Sequence, residues 1–195
     1  MTAEQSPPAA DDPRILRAIA HPVRNRILAE LEAAGSLRAA DVAATVGIPA
    51  NQASFHLRQL AKYGVVEPAP ELARDRRDRV WRLVGGELVV NVSDIEKAPG
   101  GRAAAAVWRR QAVAAAHEVV ERAYAGDPDH RSTILEASVR LSPEAVTEFT
   151  RELGELVDRW NDPGRDRGAE AATYHVLNIV QRYPADTTDD PGAGG

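Results

Sequence analysis

The chain has 195 residues, 44% of them hydrophobic, and contains no cysteine. This length allows one or two domains with their own cores, and the lack of cysteine excludes disulfides and thiolate metal sites. No apolar run is long enough to span a bilayer and no signal peptide is recognisable, so we expect a cytoplasmic protein without a membrane partner. The net charge of −5 is uneven, because residues 14–84 carry +5 and residues 85–195 carry −7. The basic half is expected to face a polyanion such as DNA.

Composition divides the chain into four segments. Residues 1–12 are rich in Pro, Ala and acidic residues, residues 185–195 have a similar composition, and both segments are predicted to be disordered tails. Between them we expect two folded parts, residues 13–85 and 86–184, with a joint near Gly85-Gly86 or, alternatively, later at Pro99-Gly100-Gly101. The predicted fold class is mainly α with a small β component (α+β).

Four helices are predicted in the first part from apolar spacing and from Pro and Gly at their ends. They cover residues 13–20, 22–34, 40–46 and 50–63, and residues 37–38 form a short extended link. Gly47-Ile48-Pro49 separates the last two helices. Two short helices joined by three residues that include a glycine are typical of a helix-turn-helix.

A β-hairpin is predicted directly after the second helix of this pair. Its strands are residues 65–67 and 80–84, and its loop has the charged tip Arg74–Arg79. A hairpin in this place is a wing, with Trp81 packed beneath it. Residues 13–85 are therefore predicted to be a winged helix-turn-helix domain.

Several motifs follow one another at specific spacing in this stretch. They are AIAHPVRNRIL at residues 18–28, DVA at residues 41–43 before Gly47, SFHLRQL at residues 54–60 and GVV at residues 64–66. Together they resemble the ArsR-type winged-helix repressors, over a little more than a third of the chain. The resemblance implies a DNA-binding transcriptional regulator.

The candidate DNA-binding residues lie on the second helix of the pair and on the wing. In the helix-turn-helix geometry that second helix enters the major groove. Since Ala53, Leu57 and Leu60 must face the core, the outward positions are Asn51, Gln52, Phe55 and Arg58. Asn and Gln pair with adenine, Arg pairs with guanine, and Phe fits against a thymine methyl.

The remaining candidates are two residues of the same helix and four arginines of the wing. Ser54 fits a phosphate contact, and His56 is interpreted as half-buried packing, with a DNA contact as the alternative. The wing candidates for phosphate or minor-groove contact are Arg74, Arg76, Arg77 and Arg79. A self-paired, solvated loop is the alternative for the wing, because Asp75 and Asp78 lie among the arginines.

The second part begins with a long Ala-rich helix predicted over residues 102–125. One face of it carries small and apolar residues: Val107, Trp108, Ala112, Ala115 and Val119. The family resemblance implies that a helix after the wing forms a homodimer interface. A dimer would also place two recognition helices on successive half-sites of the DNA.

A small α+β unit is predicted to follow. Alternating apolar residues indicate strands over residues 132–141 and 173–183, with a possible third over residues 88–92. Ser142-Pro143-Glu144 is a helix start, and that helix is predicted to reach Asn161. Short ArsR-type repressors lack this unit, so the way in which they recognise effectors is not assumed for this chain.

No catalytic, cofactor or metal signature is apparent, and the chain is not expected to be an enzyme. His117 and Glu121 are one turn apart on the long helix, but two ligands per chain are too few for a metal site. His175 lies in an apolar stretch and is interpreted as a partly buried structural group. The predicted function is a sequence-specific DNA-binding regulator, a homodimeric repressor released by a non-metal small-molecule effector. Alternatively, the second part only dimerises or docks a protein.

Overall fold

The computed structural model describes residues 12–75, 78–86, 88, 90–126, 132–162 and 171–182. Within them, the contacts between residues define two compact units. The first unit comprises residues 12–135 with 171–175, and the second comprises residues 136–162 with 176–182. Of the two predicted tails, only Asp12 lies within the described residues.

Helices dominate the first unit, and their ends follow simple capping rules. Asp12 caps the first helix, where its carboxylate accepts a hydrogen bond from the Arg14 N–H at 2.8 Å. Pro13 and Pro22 occupy first-turn positions, where a missing N–H costs nothing. The helices are α1 (Pro13–Ile19), α2 (Pro22–Ala34), α3 (Ala39–Val46), α4 (Ala50–Lys62), α5 (Val92–Ile95) and α6 (Gly101–Ala125).

A three-stranded antiparallel sheet completes the first unit. Its strands are β1 (Ser36–Arg38), β2 (Val66–Pro68) and β3 (Val80–Leu83), in the order β1-β3-β2. Leu37 pairs with Trp81, and Val66 pairs with Leu83. The predicted extended link is therefore an edge strand of the wing sheet, and the predicted hairpin is confirmed. The fold class, mainly α with a small β-sheet, is confirmed as well.

One apolar core joins all these elements. Leu16, Ile27, Leu31 and Leu57 are fully buried in it, and Trp81 is buried under the hairpin as predicted. The same core includes Ile95, Ala104 and Ala105 from the region after the wing. The first turns of α6 therefore pack into the helix-turn-helix core, where they lie against α1.

Three strand predictions are wrong where the structure describes the residues concerned. Residues 132–141 and 171–182 belong to no strand or helix, and Val92 begins α5 instead of ending a strand. Alternating apolar residues favour a strand only if a neighbouring backbone completes its hydrogen bonds. Neither long segment has a strand partner among the described residues, and their side chains are exposed.

The second unit is built around the predicted helix, α7 (Pro143–Asn161). Its start is capped by Ser142, whose Oγ accepts a hydrogen bond from the Ala145 N–H at 3.2 Å. Its apolar stripe includes Leu156 and Trp160, but no residue of α7 is buried. The predicted helix is confirmed, while the α+β character expected of this unit is not found in its described residues.

Candidate nucleic-acid interface

The link between α3 and α4 is a tight turn that depends on Gly47. Gly47 adopts φ 72° and ψ 37°, a left-handed conformation that side chains disfavour. The N–H groups of Gly47 and Ile48 both donate to the Ala43 carbonyl, which closes the end of α3. Pro49 follows, and its carbonyl accepts from the Gln52 N–H at 2.9 Å. This turn fixes the direction in which α4 leaves the core.

The two faces of α4 separate as its apolar spacing predicts. Ala53, Leu57 and Leu60 are fully buried. Four of the predicted base-reading residues are exposed on the opposite side: Asn51, Gln52, Phe55 and Arg58. Phe55 is 51% exposed, so its ring is accessible from solvent. Ser54 lies between the two faces and is half-buried.

His56 does not share the exposed face of α4. It is only 9% exposed, and its ring centroid lies 4.9 Å from that of His21, which precedes α2. The Phe55 ring meets it edge-on at 5.4 Å. The interpretation of His56 as a packing residue therefore agrees with its position, and a direct contact with a base would require it to turn outward.

The pKa of both imidazoles lies below the ordinary value of 6.5. For His21 the main cause is burial, followed by the positive charge of Arg24. For His56 burial again comes first, followed by the charges of His21 and Arg24. Both rings therefore resist protonation in the folded chain.

This depression predicts how stability depends on pH. The unfolded chain takes up protons near pH 6.5 while the folded chain does not. The free energy of unfolding should therefore be greatest above this pH and should fall as pH decreases from 6.5 through the folded pKa values. Urea unfolding across a pH series measures this slope. His56→Gln should flatten it and the exposed control His117→Gln should not. An unchanged slope in His56→Gln would contradict the assignment.

The wing presents two of its predicted arginines to solvent. Arg74 and Arg79 are exposed, and neither makes an ion pair with another described residue. Arg76 and Arg77 lie outside the described residues. The Arg79 carbonyl accepts from the Ala39 N–H at 3.0 Å, which ties the end of the wing loop to the start of α3. Arg79 is thus available to an anion, whereas the charge of Arg74 also acts on Asp41 and helps to lower the pKa of that carboxyl.

Two other arginines of this region are occupied. Arg38 binds both carboxylate oxygens of Asp41, at 2.6 and 2.7 Å, and holds the pKa of that carboxyl below its usual value. Arg82 bridges Glu67 and Glu71 across the outer face of the wing. Neither Arg38 nor Arg82 was among the predicted DNA contacts. The alternative of a self-paired, solvated wing loop stays a prediction, because Arg76 and Arg77 lie outside the described residues.

The remaining sequence candidates do not assemble into a reactive site. His117 and Glu121 are exposed on α6, and the described residues contain no group of three or more potential metal ligands around them. His175 is exposed, so its interpretation as partly buried is wrong.

No helix in the described part of the chain has the length and apolarity needed to cross a membrane.

A charged cluster beside α4 was missed by the sequence analysis. His21 and Arg24 lie at the start of α2, yet folding brings their charges to His56, far along the chain. Such a contact leaves no local periodicity. One sequence signal was available. His21 directly precedes Pro22, which begins α2, and the first turn of this helix contains no acidic residue.

Comparison with known families agrees with this geometry. Residues 19–69 match the family model of a helix-turn-helix domain. The matched stretch contains α2, β1, α3, the Gly47 turn, α4 and β2. A search of curated proteins gives no match to the chain. Residues 19–69 are therefore similar to helix-turn-helix domains in sequence and in fold, and this similarity supports a role in DNA-binding regulation.

Proposed function

We propose that the protein is a sequence-specific, double-stranded-DNA-binding transcriptional repressor of the ArsR type that acts as a homodimer. The observation that carries this proposal is the exposed face of α4 within the matched domain. Asn51, Gln52 and Arg58 have the donors and acceptors that read base edges, and Phe55 offers an apolar surface to a thymine methyl.

Phosphate contacts would hold α4 in register. Ser54 is placed beside the reading face, and Arg74 and Arg79 are the described cations of the wing. Arg76 and Arg77 complete the proposed set. Such contacts supply affinity without sequence choice and make the binding salt-dependent.

The homodimer would be formed through α6. Beyond its first turns this helix is largely uncovered, and Val107, Ala112 and Ala115 are exposed on it. Val113, Val120 and Tyr124 add further exposed apolar surface. Trp108 packs partly against the core and Val119 is half-buried, so these two would line the edge of the interface.

The second unit would receive a non-metal small-molecule effector that releases the DNA. The alternative, a module that only dimerises or docks a protein, is favoured by one observation: no residue of α7 is buried. Titrating the DNA complex with a metabolite panel separates the two. Release by one compound supports the effector, and no response from the panel supports the docking module.

Gln52→Ala provides the direct test of base reading. Selection of bound duplexes from a random pool, followed by affinity measurements on single-base variants, should yield one preferred site for the wild-type chain. The substitution should relax the preference at one base-pair position, by about 1–3 kcal/mol, because the lost amide leaves that base unread. Gln59→Ala serves as the control, since Gln59 is half-buried on the same helix. Equal binding of all duplexes by the wild-type chain would contradict the proposal.

A further inference from the structure

The start of α2, like those of α3, α4 and α6, has no side-chain cap, whereas those of α1 and α7 have one. Both of those helices have a side-chain oxygen that accepts a backbone N–H. At α2, His21 occupies the cap position without such a bond, and the first turn contains no acidic residue. The helix dipole makes this a favourable position for negative charge, and since Pro22 has no N–H, only the N–H groups of Val23 and Arg24 can add to it.

Three groups that carry or accept positive charge surround this helix start. His21 Nδ1, Arg24 Nε and His56 Nδ1 are buried atoms without a hydrogen-bond partner among the described residues. The charges acting on the two imidazoles are those of Arg24 and, for His56, of His21. Arg24 also makes no ion pair within the described part of the chain. Buried polar atoms without partners are rare in folded proteins and call for a ligand or another explanation.

We propose that His21, Arg24 and the free N–H groups at the start of α2 bind a phosphodiester of the DNA backbone, with His56 as the residue that positions His21. This inference rests on the proposed function, because it assigns a DNA phosphate to a place beside the reading helix. His21 and Arg24 are half-buried, so each keeps part of its side chain accessible. His56 is buried behind His21, where it supports the ring instead of meeting the phosphate.

DNA is the source of phosphate that best fits this position. His56 directly follows the exposed Phe55 on α4, and the two rings are 5.4 Å apart. The site therefore lies along the flank of the helix that would enter the major groove. The sugar-phosphate strands border that groove, and contacts to them set the register of the protein.

The test compares two arginines on α2. Arg24→Gln removes the proposed contact, and Arg26→Gln removes the same charge from an exposed position on the same helix. Binding is measured on a mixed-sequence duplex over a salt series. Arg24→Gln should weaken binding on the order of tenfold and lower the slope of log affinity against log salt by about 0.9 per protomer, whereas the control should change both much less. Equal effects of the two substitutions would overturn the proposal.

The pH dependence of binding tests the histidines. A bound phosphate favours protonated imidazoles, so the affinity of the wild-type chain should rise as pH falls toward the lowered pKa of the free His21 ring, below 6.5. His21→Gln and His56→Gln should each reduce this rise, while His117→Gln should retain it. A structural role of His56 alone would lower affinity at every pH without changing the profile, and that result would overturn its positioning role.

A separate measurement tests the anion site without DNA and without any variant, so it remains informative if the chain binds no duplex or if a variant does not fold. Histidine-ring NMR of the wild-type chain is followed during titration with inorganic phosphate, against chloride at equal ionic strength. Shifts of the His21 and His56 rings support an anion site even if no duplex is bound, in which case only the proposed function fails. Absence of such shifts in a chain that binds no duplex overturns the site as well.

Discussion

Gly101→Ala is expected to lower the free energy of unfolding of the first unit by about 3 kcal/mol, at the upper end of the cost of overpacking. A Cβ atom at this position would lie 1.7 Å from the carbonyl oxygen of Ile95 and 2.7 Å from its carbonyl carbon. Both atoms belong to the backbone, so no side-chain rotation relieves the overlap. The end of α5 would have to move away from the start of α6.

The consequence would extend into the core. Ile95, Ala104 and Ala105 are buried in the cluster that also holds the helix-turn-helix. The Gly101 N–H donates to the Ala98 carbonyl at 2.9 Å, and this bond fixes the turn that precedes α6. If α6 is the dimer helix, the substitution should weaken dimerisation together with stability. Urea unfolding and sedimentation measure the two effects separately.

Gly154→Ala is the matched control for this substitution. Gly154 lies inside α7, and nothing comes within 4 Å of an added Cβ. Alanine in a helix interior is favoured over glycine by roughly 0.5–1 kcal/mol, so this variant should be unchanged or slightly stabilised. A Gly101→Ala chain as stable as the wild type would show that the approach of α6 to Ile95 is not as close as described.

The DNA-binding domain was predictable because its signals are local. The apolar spacing of Ala53, Leu57 and Leu60 determines which side of α4 is buried, and so also which side is exposed. Gly47 and Pro49 mark the turn. The β1 strand was harder to predict, because it has only three residues and is stabilised by pairing with β3, which is distant in sequence.

The region after the wing was harder to predict for physical reasons. The alternation of apolar and polar residues over 132–141 indicates a segment with one apolar and one polar side. It does not show whether a neighbouring strand is present to complete the backbone hydrogen bonds. The contact of His56 with His21 was likewise invisible, because it joins two elements that are distant in sequence. Local patterns predict which side of an element faces inward, whereas they do not predict which residue it meets there.

Two neighbouring residues on α4 should separate folding from DNA binding. Leu57 is fully buried and Arg58 is exposed. Leu57→Ala should cost about 2–5 kcal/mol of stability, because it removes core contacts and leaves a cavity beneath the helix. Arg58→Ala should change stability by less than about 0.5 kcal/mol.

DNA affinity should respond to the same two substitutions in the opposite order. Measured at a temperature where both variants remain folded, Arg58→Ala should lose about 1–3 kcal/mol of preference at one base pair, because a guanidinium that reads guanine is gone. Leu57→Ala should keep the preference of the wild type as long as α4 is intact. The measurements are urea unfolding and duplex titration on the selected site. If Arg58→Ala instead lost stability and kept its sequence preference, the exposed side of α4 would serve the fold, and the reading face would have to lie elsewhere.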